Sequence, residues 1–183
     1  MEKKYQIDIL LSIYNGSKYL KELLVSLTNQ SNKDWQLIIR DDGSTDNSID
    51  IIKKFISDNN ISNFTLLECN QNLGACKSFE ALIKQSTSDY IMFCDQDDIW
   101  LPEKISMSFY EIVRLEKEYP NSPLLVHTNL ILTDESLRIL SNSFWSYAGI
   151  QPSNSLDFRK MAISNCITGC TTIFNKKAIA YIL

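Results

Sequence analysis

Short apolar segments alternate with amphipathic segments over roughly the first two thirds of the chain, and this order constrains the fold more than any other feature. Residues 7–13 read as a buried strand because both of their faces are largely apolar. A helical pattern follows, and further strands are predicted at 35–39, 64–67 and 90–94, each with its own helical segment. The helices run through residues 20–27, 49–56, 76–83 and 101–113. This order predicts an α/β fold with an open, mostly parallel sheet and helices on both faces.

The pattern changes after Pro120. Strands are predicted at 124–132, 137–140 and 170–174, with an irregular, aromatic-rich stretch at 141–168 and the start of a helix at 176. A chain of 183 residues suits one domain. We interpret residues 1–120 as one half of that domain and residues 121–183 as the start of the other half, truncated at its end.

Composition excludes several classes of protein. The net charge is −4, which disfavours extended contact with nucleic acid. No apolar run approaches the length of a membrane span, and the first residues lack the pattern of a signal peptide. The five cysteines are an odd number, so we expect reduced thiols in a cytoplasmic protein. With one histidine, His127, and no CxxC pair, a zinc site is disfavoured.

The glycine pattern argues against two classes of nucleotide-binding protein. The five glycines form neither G-x-G-x-x-G nor G-x-x-x-x-G-K-[ST], so the signatures of dinucleotide-binding enzymes and P-loop NTPases are absent. Any phosphate charge would therefore have to be met by a metal ion instead of a glycine-rich loop.

Three polar clusters follow predicted strands, at the sheet edge where open α/β proteins bind ligands. They are residues 12–15 (Ser-Ile-Tyr-Asn), 41–44 (Asp-Asp-Gly-Ser) and 95–98 (Asp-Gln-Asp-Asp). Three carboxylates within four residues repel one another, so the third cluster is best explained by a divalent cation such as Mn²⁺ or Mg²⁺. Magnesium-type ions complete their coordination with phosphate oxygens, which implies a nucleoside diphosphate ligand. The alternative is a solvated acidic turn ahead of a helix.

The second cluster also has two interpretations. Gly43 and the polar residues after it can form a turn and cap the next helix. Neither role requires two adjacent carboxylates, so Asp41 and Asp42 are candidates for contact with a base or a ribose hydroxyl as well.

Together these segments resemble the family 2 glycosyltransferases of the GT-A fold. The matching stretches are residues 9–16, 37–46, 70–74 and 89–100, in the order and spacing of the family. The sequence Asp-Gln-Asp-Asp-Ile-Trp at 95–100 is similar to that of rhamnosyltransferase-like members in cell-surface polysaccharide synthesis. The resemblance implies an inverting transfer from a UDP- or dTDP-linked sugar to a saccharide or lipid-linked acceptor. It also allows the full-length protein to work at the inner face of the membrane.

The resemblance implies a role for each matching residue. Ser12 and Tyr14 would line the base pocket, and Asp42, with Asp41 beside it, would contact uracil or thymine. Asp97 would bind the metal directly and Asp95 would lie nearer the ribose while also serving the metal. The remaining residues implied by the family pattern are Asp98 in a supporting role, Trp100 as either core packing or a wall of the acceptor site, and Lys77 near the phosphates.

Two departures from the family pattern matter. The position of the arginine that many members place near the phosphates falls on either Lys77 or Phe79. The carboxylate general base of the family is expected beyond Leu183, so no catalytic base is assigned within this chain. The acidic residues downstream of the third cluster read as surface or turn positions: Asp134, Glu135 and Asp157.

Two other functions remain open from the sequence. One is a nucleotide-sugar binding module without catalytic activity. The other is a sugar-nucleotide pyrophosphorylase, although the expected glycine-rich, basic N-terminal loop is missing. His127 is predicted to be an ordinary core or edge residue. Trp145 and Tyr147 either form a loose hydrophobic cluster or stack on a sugar.

Overall fold

The computed structural model describes residues 6–69, 71–151 and 166–182. Its first part is a regular alternation of strands and helices, as the sequence predicts. The elements are β1 (Ile7–Ile13), α1 (Leu20–Thr28), β2 (Trp35–Asp42), α2 (Ser48–Asp58), β3 (Phe64–Cys69), α3 (Ala75–Gln85), β4 (Tyr90–Cys94) and α4 (Lys104–Glu118). Short elements follow: β5 (Leu125–His127), β6 (Leu132–Thr133), β7 (Ile139–Ser141), α5 (Phe144–Tyr147) and β8 (Thr172–Asn175). 3-10 helices flank β8 at Gly169–Thr171 and Lys176–Tyr181.

The main sheet has six strands in the order β3-β2-β1-β4-β8-β5. Strands β3, β2, β1 and β4 are parallel, whereas β8 runs antiparallel to both of its neighbours. The predicted open, mostly parallel sheet is therefore confirmed. Strands β5 and β8 come from the second predicted half and join this same sheet. The division of the domain into two halves at residue 120 stays a prediction.

Helices cover both faces of the sheet, as predicted. One apolar cluster joins alternate residues of β1 and β2, such as Ile9 and Leu37, to buried side chains of α1, α2 and α4. A second cluster joins Leu10 and Ile38, on the opposite face, to Leu82 of α3 and to the 3-10 helix after β8. Period-two alternation thus divides each central strand between two cores.

Several predicted boundaries differ from the structure. Helix α4 begins at Lys104, three residues after its predicted start. The strand predicted at 124–132 is interrupted after His127, because the Asn129 side chain accepts hydrogen bonds from the Leu130 and Trp145 amides and turns the chain. The end of that segment begins β6, which pairs with β7 in a separate two-stranded sheet. Of the irregular stretch, residues 152–165 lie outside the described residues, and Asp157 is among them.

Candidate nucleotide and metal site

The three polar clusters of the sequence come together at the carboxyl edge of the parallel strands. Strand β1 lies between β2 and β4, with Ile13 opposite Asp41 and Leu11 opposite Cys94. The loops after these strands therefore emerge side by side, as expected from the sequence.

Hydrogen bonds join the loop after β1 to the loop after β2. The Asn15 amide donates to Ser44 Oγ at 2.9 Å, and Asn15 Oδ1 accepts from the Thr45 amide at 2.8 Å. The Gly16 amide donates to Ser48 Oγ at 2.9 Å, and the Ser17 amide donates to Asp46 Oδ2 at 3.0 Å. Small polar residues thus hold both loops in one arrangement.

Asp46 gives this junction a pH dependence. Partial burial alone would raise the pKa of Asp46, but hydrogen bonds from the Ser48 side chain and the Ser17 amide outweigh it and lower the pKa from 3.8 to about 2. A carboxyl group with a lower pKa in the folded state stabilises the fold above its unfolded pKa, and the benefit is lost as pH falls through the folded pKa. Asp46→Asn is therefore expected to cost at most about 2 kcal/mol at neutral pH and nothing near pH 2.

Urea unfolding between about pH 7 and pH 2 measures this difference. Asp58→Asn, at an exposed position near the end of α2, is the matched control for the loss of one carboxylate. Parallel pH curves for Asp46→Asn and the parent would contradict the assignment.

Gln96, whose role was not predicted from the sequence, links the acidic cluster after β4 to the loop after β1. Its Oε1 accepts from the Tyr14 amide at 2.9 Å and its Nε2 donates to the Tyr14 carbonyl at 3.3 Å. A Cβ on Gly16 would lie 2.6 Å from Gln96 Oε1, so a larger residue there would push the Gln96 amide away from the Tyr14 backbone. The Tyr14 side chain stays 48% exposed, which leaves it open for stacking.

Asp41 and Asp42 lie within β2 and are buried, instead of standing on a loop. Asp41 accepts hydrogen bonds from the amides of Gly43 and Ser44 and so shapes the turn after the strand. The Asp42 carboxylate accepts from the amides of Leu73 and Gly74 at 2.9 and 2.8 Å. The structure therefore shows turn-forming and loop-holding roles, and the contacts of both residues with a base stay predictions.

Arg40 holds Asp42 from inside the protein. Its guanidinium forms a buried ion pair with Asp42 and donates to Ser78 Oγ at 3.1 Å and to the Gln71 carbonyl at 3.3 Å. Ser78 Oγ lies 2.6 Å from Ser12 Oγ, so the predicted base-pocket residue Ser12 belongs to the same network. Burial alone would raise the pKa of Asp42, but the Leu73 amide and Arg40 hold it below its ordinary value.

In the acidic cluster after β4, Asp95 and Asp97 are exposed and Asp98 is half-buried. Ligand atoms of Asp95, Asp98 and Cys170 lie within 4.8 Å of one another, while Asp97 is exposed and stands outside this group. Partial burial raises the pKa of both Asp95 and Asp98, and the like charges nearby add to it. Of the two predicted metal ligands, Asp95 thus belongs to this group and Asp97 does not, and Cys170 joins the group from a segment 75 positions away from Asp95.

Lys104 is a buried cation close to this cluster. Its Nζ donates to the Cys170 carbonyl at 2.6 Å and lies 4.0 Å from the centre of the Trp100 ring. Burial lowers the pKa of Lys104, although the nearby acidic groups oppose this. Trp100 is only 2% exposed and belongs to the main core, so of its two interpretations the structure supports packing.

The two candidates for the phosphate contact differ in their surroundings. Lys77 is exposed in the first turn of α3, whereas Phe79 packs against Phe93 with ring centres 5.0 Å apart. Only Lys77 is therefore available to an anion, and its contact with phosphate stays a prediction.

The downstream candidate residues have structural partners. Asp134 pairs with Arg138, and Glu135 pairs with Lys18 at 2.8 Å. The half-buried His127 ring stacks edge-on against Trp145, as expected of an edge residue. In the part of the chain that the structure describes, no helix is long and apolar enough to cross a bilayer.

Comparison with known proteins agrees with this arrangement. The profile described as Glycosyl transferase family 2 matches residues 8–179, which is nearly the whole chain. The chain belongs to this family. It is 41% identical over 99 residues to the dTDP-rhamnosyl transferase RfbG of Shigella flexneri, covering 52% of this chain and 34% of RfbG.

Two further relatives extend the match. WfgD of Escherichia coli, a UDP-Glc:alpha-D-GlcNAc-diphosphoundecaprenol beta-1,3-glucosyltransferase, is 24% identical over 169 residues, covering 92% of this chain and 59% of WfgD. The crystal structure of S. aureus TarS 1-349 in complex with UDP-GlcNAc aligns with a TM-score of 0.53 and 26% identity, over 62% of this chain and 32% of TarS. The predicted GT-A fold is thereby confirmed. The chain spans about a third of RfbG and 59% of WfgD.

Proposed function

We propose that this glycosyltransferase moves a sugar, with inversion, from a UDP- or dTDP-linked donor to a saccharide or lipid-linked acceptor in cell-surface polysaccharide synthesis. The observation that carries the proposal is the meeting of Tyr14, Asp95 and Asp97 at one edge of the sheet in a member of family 2. RfbG is named for a dTDP-rhamnose donor and WfgD for a UDP-glucose donor, which supports these two nucleotides and leaves rhamnose as one candidate sugar.

The donor groups at the edge fit a hard divalent cation. Asp95 and Asp97 supply carboxylate oxygens, and Asp98 Oδ2 is buried without a hydrogen-bond partner among the described residues. Mn²⁺ or Mg²⁺ bound there would neutralise charge on the leaving diphosphate. The exposed Asp97 would bind the ion directly, and Asp95 would contact both the ion and the ribose of the donor.

The other residues act on the nucleotide. The exposed Tyr14 ring offers a stacking surface for the base, and its backbone is held in place by Gln96. Ser12 and Asp41 border the base side, Asp42 holds the Leu73–Gly74 peptide there, and Lys77 is free to meet a phosphate. No acidic residue of the described chain is assigned as the general base.

The test measures thermal stability with UDP, dTDP, GDP or CDP, each with and without Mn²⁺ or Mg²⁺. A ligand at about 100 times its Kd adds roughly 2.7 kcal/mol of stability. We expect that shift with UDP or dTDP only when metal is present, and we expect the Asp95→Ala/Asp97→Ala variant to lose it. The matched control is Asp50→Ala/Asp58→Ala, which removes the same charge from exposed positions of α2 and should keep the shift.

The outcomes separate the alternatives. A shift that survives in Asp95→Ala/Asp97→Ala would contradict the metal assignment. Formation of pyrophosphate from a nucleoside triphosphate and a sugar phosphate would instead favour a pyrophosphorylase. Donor binding in a longer chain that transfers no sugar to any acceptor would favour a binding module.

A further inference from the structure

A thiol completes the buried side of the acidic cluster. Asp95 and Asp98 follow β4, and Cys170 lies in the 3-10 helix that leads into β8, the antiparallel neighbour of β4. Strand pairing therefore brings Cys170 to the carboxylates. Its side chain is almost fully buried, with 5% of the residue exposed, and its sulfur lies within 4.8 Å of an oxygen of each carboxylate.

The spacing suits coordination of one ion. Metal–oxygen distances of about 2.1 Å and metal–sulfur distances of about 2.3 Å place two ligands of a tetrahedral ion about 3.6 Å apart. Separations of up to 4.8 Å thus require the three side chains to close by about 1 Å.

Lys104 attracts both carboxylates but forms no ion pair with either of them among the described residues, and the Cys170 thiol is their hydrogen-bond partner. Asp98 Oδ2 is buried and accepts no hydrogen bond among the described residues. The nearby ammonium of Lys104 is directed to the Cys170 carbonyl and the Trp100 ring. An oxygen atom that is buried and unpaired is costly unless a ligand satisfies it.

We propose that Cys170 is a sulfur ligand of the cation that Asp95 and Asp97 would hold, approaching it on the inner side of the cluster beside Asp95 and Asp98, and that it makes the site select thiophilic divalent cations over Mg²⁺. Carboxylates alone suit Mg²⁺, whereas a thiolate favours softer cations such as Zn²⁺ and Cd²⁺, with Mn²⁺ tolerated better than Mg²⁺. On binding, the metal–sulfur bond forms and the thiol proton is released to solvent. The inference rests on the proposed function only in that it concerns the same metal site.

The test is a Cd²⁺ titration followed by the ultraviolet charge-transfer absorption of the cadmium–thiolate bond. Cys69 and Cys76, the two cysteines that are not buried, are first replaced by serine in every protein compared. We expect the band in this background and its loss in C170S, which preserves side-chain size but provides a poor ligand for Cd²⁺. The matched control is C166S, another buried cysteine, which should keep the band.

A second variant keeps the test valid if C170S does not fold. D98N retains every thiol of the background, and loss of one carboxylate should weaken Cd²⁺ binding by about 10- to 100-fold. Circular dichroism without metal checks the fold of each variant. A band that persists in folded C170S, or a background protein with no band, would overturn the inference.

Nucleotide binding by the parent distinguishes this inference from the proposed function. A metal-dependent shift with UDP or dTDP and no cadmium–thiolate band would uphold the function and reject Cys170 as a ligand. The band without any nucleotide shift would uphold the ligand and count against the proposed donor site.

Discussion

Asp8→Ala is expected to lower the free energy of unfolding by about 3–5 kcal/mol, because it removes the acceptor of a buried network. Asp8 lies in β1, has no exposed surface, and is far along the strand from the candidate site. It accepts hydrogen bonds from the Gln36 side chain, the Ser86 and Ser88 hydroxyls, and the amides of Thr87 and Ser88. The carboxylate therefore fastens the loop between α3 and β4 to the central strand.

Two comparisons isolate this effect in urea unfolding. Asp8→Asn keeps one carbonyl oxygen, and the Gln36 amide can turn over to meet the new NH₂, so the loss should be about 1–2 kcal/mol. Asp58→Ala, on the exposed end of α2, should unfold like the parent. An Asp8→Ala protein as stable as Asp58→Ala would show that the donors find other partners.

Arg40→Met is expected to lower the free energy of unfolding by about 3–5 kcal/mol, because it leaves the buried Asp42 carboxylate without its counter-charge. The side chains of Arg40 and Asp42 are 5% and 3% exposed, so water cannot take the place of the partner. The same change removes the hydrogen bonds that Arg40 donates to Ser78 and to the Gln71 carbonyl. It should also loosen the Leu73–Gly74 segment, which Asp42 holds at the carboxyl edge of the sheet. Urea unfolding measures the loss, and the metal-dependent nucleotide shift measures its effect on the edge.

Three variants serve as controls for Arg40→Met. Arg40→Lys keeps the charge without the forked geometry and should recover only part of the stability. In Arg40→Met/Asp42→Asn the loss should be smaller than the sum of the two single losses, because each single change strands the other charge. Arg114→Met, from an exposed ion pair on α4, should match the parent. Equal stability of Arg40→Met and Arg114→Met would mean that the buried pair contributes nothing.

Sequence periodicity was sufficient for the alternating first part of the fold. The apolar character of residues 7–13 and 90–94 predicts buried parallel strands, and β1 and β4 match those bounds. The prediction failed in part after Pro120, where strands are four residues long or shorter and a side chain such as Asn129 decides the turn. A long apolar run cannot show such a break, because the break depends on partners distant in sequence.

The candidate site divides in the same way. Residue type and position after a strand predicted that Tyr14 and Asp95 lie at one edge of the sheet. Gln96, Lys104 and Cys170 were not predicted, since their contacts depend on how separate loops pack. Arg40 and Asp8 did leave a signal in the sequence, as charges within otherwise apolar strands. Such charges require partners, although the sequence cannot name them.

By itself, the sequence determined the alternating order of strands and helices in the first part of an α/β domain, its membership of family 2, and the position of the acidic groups beyond the strand ends. These features follow from short-range periodicity and from motifs that can be recognised by the spacing of their residues along one sequence. Only the tertiary structure decided that Asp42 is held by Arg40 and that Cys170 lies beside Asp95 and Asp98. Those contacts arise from strand pairing and side-chain packing between distant segments, which local sequence does not encode.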